Sequence, residues 1–260
     1  LIGEQHPHDA PQPLAPPGGV TLDPTIVACD ATSVLSAGRR GPKPVLARWS
    51  RAQGTWQVVE LEVEPRALAT SFDRVAVVHD EGVRFFEGPS LAAGATLALH
   101  GARNVALAGE WLFVVAERSQ VAIFRAQAGH WTLATSLTAP SAVLALAASE
   151  STLALGLPLD GEPGPRGGSV QIYARQAGTW TLSGTIVAHD AMAEQAFGSS
   201  LALANEELAV GAPGSNYVAG SVYLISLAAA SRDWTLSGWR AEARQRISPF
   251  LFDPGERYPR

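Results

Sequence analysis

The chain has 260 residues, a formal net charge of −5 and 47% hydrophobic against 17% charged residues, a composition that excludes a disordered chain. The acidic balance argues against nucleic-acid binding, and the absence of about 18 consecutive apolar residues argues against membrane insertion. The single cysteine, Cys29, excludes an internal disulfide framework and a cysteine-based zinc site.

Four kinds of short apolar segment recur along the chain in a fixed order, and each is bounded by Gly, Pro, Asn, Asp or Ser, as β-strands are. The first kind occupies residues 20–22, 67–69, 105–108, 143–146 and 201–204. The second occupies residues 26–29, 75–78, 112–115, 153–156 and 208–211. The third covers 45–48, 82–86, 121–126, 168–175 and 220–225, and the fourth covers 56–61, 96–99, 131–137, 180–187 and 234–239.

Four short strands that repeat about every 45 residues are typical of a β-propeller blade. We therefore predict an all-β fold, a closed ring of about five four-stranded blades at residues 20–63, 66–100, 104–139, 141–188 and 195–240. A Pro-rich N-terminal arm (1–19) and a C-terminal tail (241–260) lie outside this ring. The alternative is a β-sandwich, but sandwich strands do not repeat their order.

A tryptophan stands at the start of the fourth segment in four repeats, namely Trp56, Trp131, Trp180 and Trp234. Because an indole buries a large area, we expect these side chains to cover the seams between blades. Trp49, Trp111 and Trp239 do not follow this spacing, so a sugar ring would stack on one of them or on Tyr217.

The last repeat carries the most specific motif of the chain. It combines the pair Phe197-Gly198, the run Leu208-Ala209-Val210-Gly211-Ala212-Pro213-Gly214, the run Gly220-Ser221-Val222-Tyr223 and the trailing Trp234. This pattern resembles the FG-GAP repeat of integrin-α-like β-propellers, in its bacterial, tryptophan-containing variety. The resemblance implies a repeat protein that acts in protein binding or adhesion and is secreted or displayed at the cell surface, with a cytoplasmic location as the alternative.

Many repeats of this family carry a calcium loop of spaced Asp and Asn residues between the first two strands. The corresponding connections here are too short, as in Asn205-Glu206-Glu207 or Gly109-Glu110, and none has three alternating oxygen side chains. We therefore expect no metal site and no cofactor.

Propeller connections alternate between two faces. The turns between strands 1 and 2 and between strands 3 and 4 form what we call the turn face, whereas the strand 2–3 and 4–1 connections form the loop face. The longer loops are predicted on the loop face, and loops on a rigid scaffold are where binding residues concentrate. The candidate binding residues of the loop face are Asp30, His79, Asp80, Asp160, Glu162, His189, Asp190, Asn216 and Tyr217.

These residues favour a non-catalytic scaffold that binds a protein or a glycan through the loop face. The His79-Asp80 and His189-Asp190 pairs contain the groups of general-base catalysis, but adjacent residues on an extended chain point in opposite directions. Two alternatives remain: a lectin-like propeller, or a hydrolase or lyase with these pairs at the central channel. The C-terminal tail contains apolar residues at 250–252, which would be exposed unless the tail docks on the propeller or on a partner.

Overall fold

The computed structural model describes residues 14–127, 129–161, 164–188, 190–215 and 220–227, together with the backbone of 239–241. The elements in these ranges are β-strands, apart from one helical residue, Ser215. No helix among the described residues is long and apolar enough to span a membrane.

The strands group into five antiparallel sheets in chain order, and each sheet is one blade. Blade 1 contains β1 (Val20–Cys29), β2 (Ser33–Arg40), β3 (Lys43–Ser50) and β4 (Thr55–Glu60). Blade 2 contains β5 (Ala67–Ser71), β6 (Arg74–His79), β7 (Gly82–Glu87) and β8 (Ala92–Ala98). Blade 3 contains β9 (Asn104–Ala108), β10 (Trp111–Val115), β11 (Gln120–Gln127) and β12 (His130–Thr138).

Blade 4 contains β13 (Ala145–Ala148), β14 (Thr152–Leu157), β15 (Ser169–Gln176) and β16 (Thr179–Ala188). Blade 5 contains β17 (Ser200–Ala204), β18 (Glu207–Ala212) and β19 (Ser221–Ser226). The first strands contact one another in the series β1, β5, β9, β13, β17, so they surround the axis of the molecule. The fold is a five-bladed β-propeller, which confirms the predicted fold class.

The hydrophobic core lies between the blades, because each sheet presents apolar side chains to both of its neighbours. Four clusters of buried residues fill the seams between blades 1 and 2, 2 and 3, 3 and 4, and 4 and 5. Their largest fully buried side chains include Phe85, Phe113 and Phe197.

Two of the recurring tryptophans cover seams as predicted. Trp131 stacks on Phe85 of the preceding blade at 4.9 Å between ring centroids, and Trp180 packs edge-on against Trp111 and Phe113. The Trp56 indole instead donates a hydrogen bond of 2.8 Å to the Ala15 carbonyl of the N-terminal arm. Trp234 lies outside the described residues.

The strand assignment predicted for blade 1 is wrong at its start. Residues 20–22 and 26–29 belong to one strand, β1, which is interrupted by a bulge between Leu22 and Val27. The bulge accommodates Pro24, which has no amide hydrogen to donate to a ladder. The second strand is β2, whose small residues, such as Ser36 and Gly38, resemble those of a loop in the sequence.

The strand predicted at 234–239 falls largely outside the described residues. Its last residue belongs to β20 (Trp239–Ala241), which pairs in parallel with β16 of blade 4 and not with β19 of blade 5. The end of the predicted fifth blade, up to residue 240, therefore joins the preceding sheet.

Candidate functional site

On the loop face, the two connections that flank β15 and β16 are bonded to each other. The amide N–H groups of Glu194, Ala196 and Phe197 donate to the carbonyls of Pro165, Arg166 and Gly167 at 2.8–3.0 Å. An ion pair of 3.5 Å between Arg166 and Glu194 adds to this contact. The polar groups of these two connections therefore hold blade 4 to blade 5.

Asp160 and Asp190, two of the predicted binding residues, lie on these connections and bond to buried groups. The Ser169 hydroxyl, which is fully buried, donates to Asp160 Oδ2 at 2.5 Å. The Tyr223 hydroxyl donates to Asp190 Oδ1 at 2.7 Å and accepts from the buried Gln195 amide at 2.7 Å. Burial, followed by the hydrogen bond to Asp190, raises the pKa of Tyr223, so the phenol stays protonated. Both aspartates thus stabilise the fold.

His79 ends β6 and is only 4% exposed. Its Nδ1 accepts a hydrogen bond of 3.3 Å from the Glu81 amide, which leaves the proton of a neutral imidazole on Nε2. Nε2 is buried, and no described residue bonds to it. Burial lowers the pKa of His79 although the carboxylate of Glu81 opposes the shift. A buried neutral histidine of this kind does not reach a substrate in solution.

Asp80 lies in the β6–β7 turn of the loop face and forms an ion pair with Arg66. Four other predicted residues, Glu162, His189, Asn216 and Tyr217, lie outside the described residues. Trp111, a candidate for sugar stacking, is 5% exposed and packs in the seam between blades 3 and 4, so it is not available to a ligand.

The placement of Asp30 on the loop face is wrong. Because β2 begins at Ser33, Asp30 lies in the β1–β2 connection and therefore on the turn face. Its Oδ1 accepts hydrogen bonds from the Thr32 amide and hydroxyl, both at 2.7 Å, and its Oδ2 accepts one of 3.1 Å from Thr70 of blade 2.

Asp30 contributes to a cavity of about 520 Å³ at the end of the central channel on the turn face. Every blade supplies part of its lining from the end of its first strand or the connection that follows: residues 30–32, 70–72, 107–109, 148–150, and 203 with 205. This volume falls within the range of small-molecule and side-chain pockets.

A second cavity, of about 560 Å³, lies on the same face in the seam between blades 2 and 3. Phe85 and Trp131 form its apolar floor, and the guanidinium of Arg74 lies 5.5 Å from the Trp131 ring centroid. The two cavities share Ser71, Phe72 and Gly109, so they lie side by side, and together we call them the turn-face groove.

Phe72 stands where the two cavities meet. Its side chain is 77% exposed, and its backbone adopts a left-handed conformation with φ of 54°. A bulky residue is an outlier in that conformation. The equivalent turns of blades 3 and 5 place Gly109 and Asn205 there, with φ of 56° and 48°. An exposed aromatic group is thus held in a position that favours glycine or asparagine.

The lining of the channel mouth is acidic, because its charged members are Asp30 and Glu150 and it contains no basic residue. Burial favours a higher pKa for Asp30, but the hydrogen bonds from Thr32, Ser33 and Thr70 outweigh it and leave the pKa below its ordinary value. The mouth therefore stays negatively charged at neutral pH. No three His, Cys, Asp or Glu side chains among the described residues come close enough to share a metal ion.

Sequence reasoning missed this groove because it treated the short strand 1–2 turns as purely structural. The available signal was Phe72, an aromatic residue in a two-residue turn where asparagine or glycine is expected.

Residues 180–225 match the family model described as the FG-GAP repeat, which confirms the resemblance found in the last repeat. Within this match, Phe197 is fully buried and packs edge-on against Tyr223 at 5.2 Å between ring centroids. Gly198 follows it with φ of 91°, and a Cβ there would lie 2.7 Å from the Ser169 carbonyl oxygen. No curated protein matches the chain.

Among solved structures, the chain is similar to one in the mitotic checkpoint complex, with a TM-score of 0.56, 16% identity and coverage of 88% of this chain and 70% of the other. It is also similar to a chain of the nidogen/laminin complex, with a TM-score of 0.52, 11% identity and coverage of 78% and 76%. The WD40 domain of Toxoplasma gondii coronin gives a TM-score of 0.51, 13% identity and coverage of 77% and 55%. The chain thus spans just over half of that domain, and these likenesses show the fold alone.

Proposed function

Because this chain is a five-bladed β-propeller that carries an FG-GAP repeat, we propose that it is a non-catalytic scaffold that binds a protein partner. The observation that carries the proposal is the turn-face groove, in which Phe72 is both exposed and held in a left-handed conformation. Strain of this kind persists where the surrounding structure enforces it, and it concentrates at functional positions.

The turn-face groove has the anatomy of a binding surface. Its floor holds aromatic side chains, and ion pairs surround it, between Arg48 and Asp73 at 3.5 Å and between Arg125 and Glu110 at 3.1 Å. Exposed aromatic groups beside a pocket are the usual anchors of protein interfaces. The proposed binding surface is therefore on the turn face and not on the loop face.

The environment of the three described members of the His-Asp pairs supports a non-catalytic role. A general acid or base must reach the proton that it transfers, at about 3 Å or through one water. His79 is buried, Asp80 is paired with Arg66, and Asp190 is bonded to Tyr223, so these groups serve the fold. We further propose that the protein acts outside the cell or at the cell surface, the setting that the FG-GAP resemblance implies.

Photocrosslinking from two matched apolar positions tests whether the protein binds a partner and through which face. A benzophenone amino acid replaces either Phe72 on the turn face or Leu159 on the loop face, both of which are exposed. In extract of the native organism, the Phe72 position should give a discrete crosslinked band that excess unlabelled protein removes. A band from Leu159 alone supports a scaffold that uses the loop face, and no specific band from either position contradicts the proposed function.

A further inference from the structure

We propose that the channel mouth on the turn face receives a lysine side chain of the protein partner. The ammonium group pairs with the carboxylates of Asp30 and Glu150, and the methylene chain lies against Phe72. This inference rests on the proposed function, because it names the chemical group through which the partner is held.

Charge selects a cation. Asp30 and Glu150 come from blades 1 and 4 and line the same cavity, which holds no basic side chain. No described residue forms an ion pair with either carboxylate. Two carboxylates at one cavity make the local electrostatic potential negative, which attracts a cation. The low-dielectric walls of a cleft strengthen this attraction.

Hydrogen bonding favours an ammonium over a guanidinium. Arginine binds a carboxylate best through two parallel N–H···O hydrogen bonds, which use both oxygens of the carboxylate. Asp30 Oδ1 already accepts bonds from Thr32 and Ser33, and Oδ2 accepts one from Thr70, so a two-bond fork is poorly placed there. An ammonium is a compact charge with rotatable donors and needs only one free lone pair on each carboxylate.

Phe72 supplies the apolar complement. A lysine side chain buries its methylene groups on apolar surface while its charged end stays with polar groups. The exposed ring of Phe72 lies on the lining of the same cavity as the two carboxylates, so one side chain is able to meet both.

The chain itself does not supply this lysine. The single lysine in these 260 residues is Lys43, the first residue of β3, and its ammonium is bonded to Glu60 at 2.6 Å. Because this lysine already has a carboxylate partner within the chain, we assign the site to a lysine of a different protein.

Amide NMR of the full chain tests the inference without the partner. The probe is N-acetyl-lysine methylamide, and N-acetyl-norleucine methylamide is the neutral control of the same length. The lysine probe should shift the amide signals of Asp30, Phe72, Gly109 and Glu150 saturably, with a dissociation constant of about a millimolar, as expected of a small fragment. Equal shifts from the norleucine probe, shifts only on the loop face, or no saturable shift overturn the inference.

Three variants sharpen this test. Glu150→Gln should weaken the lysine probe about fivefold, the size of one charge pair at a partly exposed site. Phe72→Asn should also weaken it, while asparagine suits the left-handed turn and keeps the fold. Glu117→Gln makes the same charge change on the loop face and should leave binding unchanged.

The two proposals fail in different ways. Crosslinks from Leu159 together with a negative lysine titration leave the scaffold standing and remove the lysine site. A positive lysine titration without any partner crosslink supports the site but contradicts the scaffold.

Discussion

The loop face of blades 4 and 5 and the turn face of the propeller differ in a way that loop length alone does not reveal. The loop face has the longer and more polar connections. Its aspartates, however, form hydrogen bonds with other residues of the chain, as Asp190 does with Tyr223. The turn face has the shorter connections, and it carries the exposed Phe72 and the acidic mouth. A binding surface is thus marked by groups that the fold holds in place and leaves accessible, and not by the length of its loops.

The largest expected effect is the loss of stability on replacing Gly198, a glycine of the loop face. Gly198 and Gly178 have φ of 91° and 86°, so alanine is similarly strained at both. At Gly198, however, a Cβ would lie 2.7 Å from the Ser169 carbonyl oxygen, whereas Gly178 has open space. Gly178→Ala should lower the free energy of unfolding by about 1 kcal/mol, and Gly198→Ala by about 3 kcal/mol or more.

Urea denaturation measures both glycine variants. Equal losses would show that the backbone conformation alone matters and that the FG pair does not hold blade 4 against blade 5.

The next largest effect concerns the hydroxyl of Tyr223. It bonds to both Asp190 and Gln195, and Gln195 is 1% exposed, so Tyr223→Phe removes two hydrogen bonds from a largely buried polar network. We expect a loss of about 2 kcal/mol in the free energy of unfolding. Tyr173→Phe is the matched control, because its hydroxyl donates a single described bond, of 3.1 Å, to Gln171. It should cost about 1 kcal/mol, and a larger loss there than at Tyr223 would contradict the network.

The repeats predicted much of this architecture because strand periodicity and tryptophan spacing are local properties of the sequence. The seam contacts of Trp131 and Trp180 followed from that spacing. The error at β1 arose because Pro24 looked like a break between strands, although a bulge absorbs it. Phe72 marked one turn of the groove, but the lining as a whole was not predictable, since it depends on five turns that meet around an axis and are far apart in the chain.

The pH dependence of stability should show that His79 belongs to the fold. Burial lowers the pKa of His79 in the folded state, with Arg84 adding to the shift and Glu81 and Asp80 opposing it. Below about pH 6.5 the unfolded chain therefore takes up a proton that the folded chain does not, and stability falls by up to about 1.4 kcal/mol per pH unit. His79→Gln should remove this part of the decline, as measured by urea denaturation at pH 7 and pH 5. An unchanged decline in the variant would show that other groups cause it.

The smallest expected effect concerns Phe72, the exposed aromatic residue of the turn face. Phe72 and Asn205 occupy equivalent left-handed positions in blades 2 and 5, so exchanging their residue types isolates the cost of placing phenylalanine there. Phe72→Asn should raise the free energy of unfolding by about 0.5 to 1 kcal/mol, since asparagine tolerates this conformation and the exposed ring loses little packing. Asn205→Phe should lower it by a similar amount, and thermal melts of both variants provide the measurement. If Phe72→Asn instead destabilises the protein by more than about 1 kcal/mol, the ring supports the fold, and the turn face loses the property that distinguishes it from the loop face.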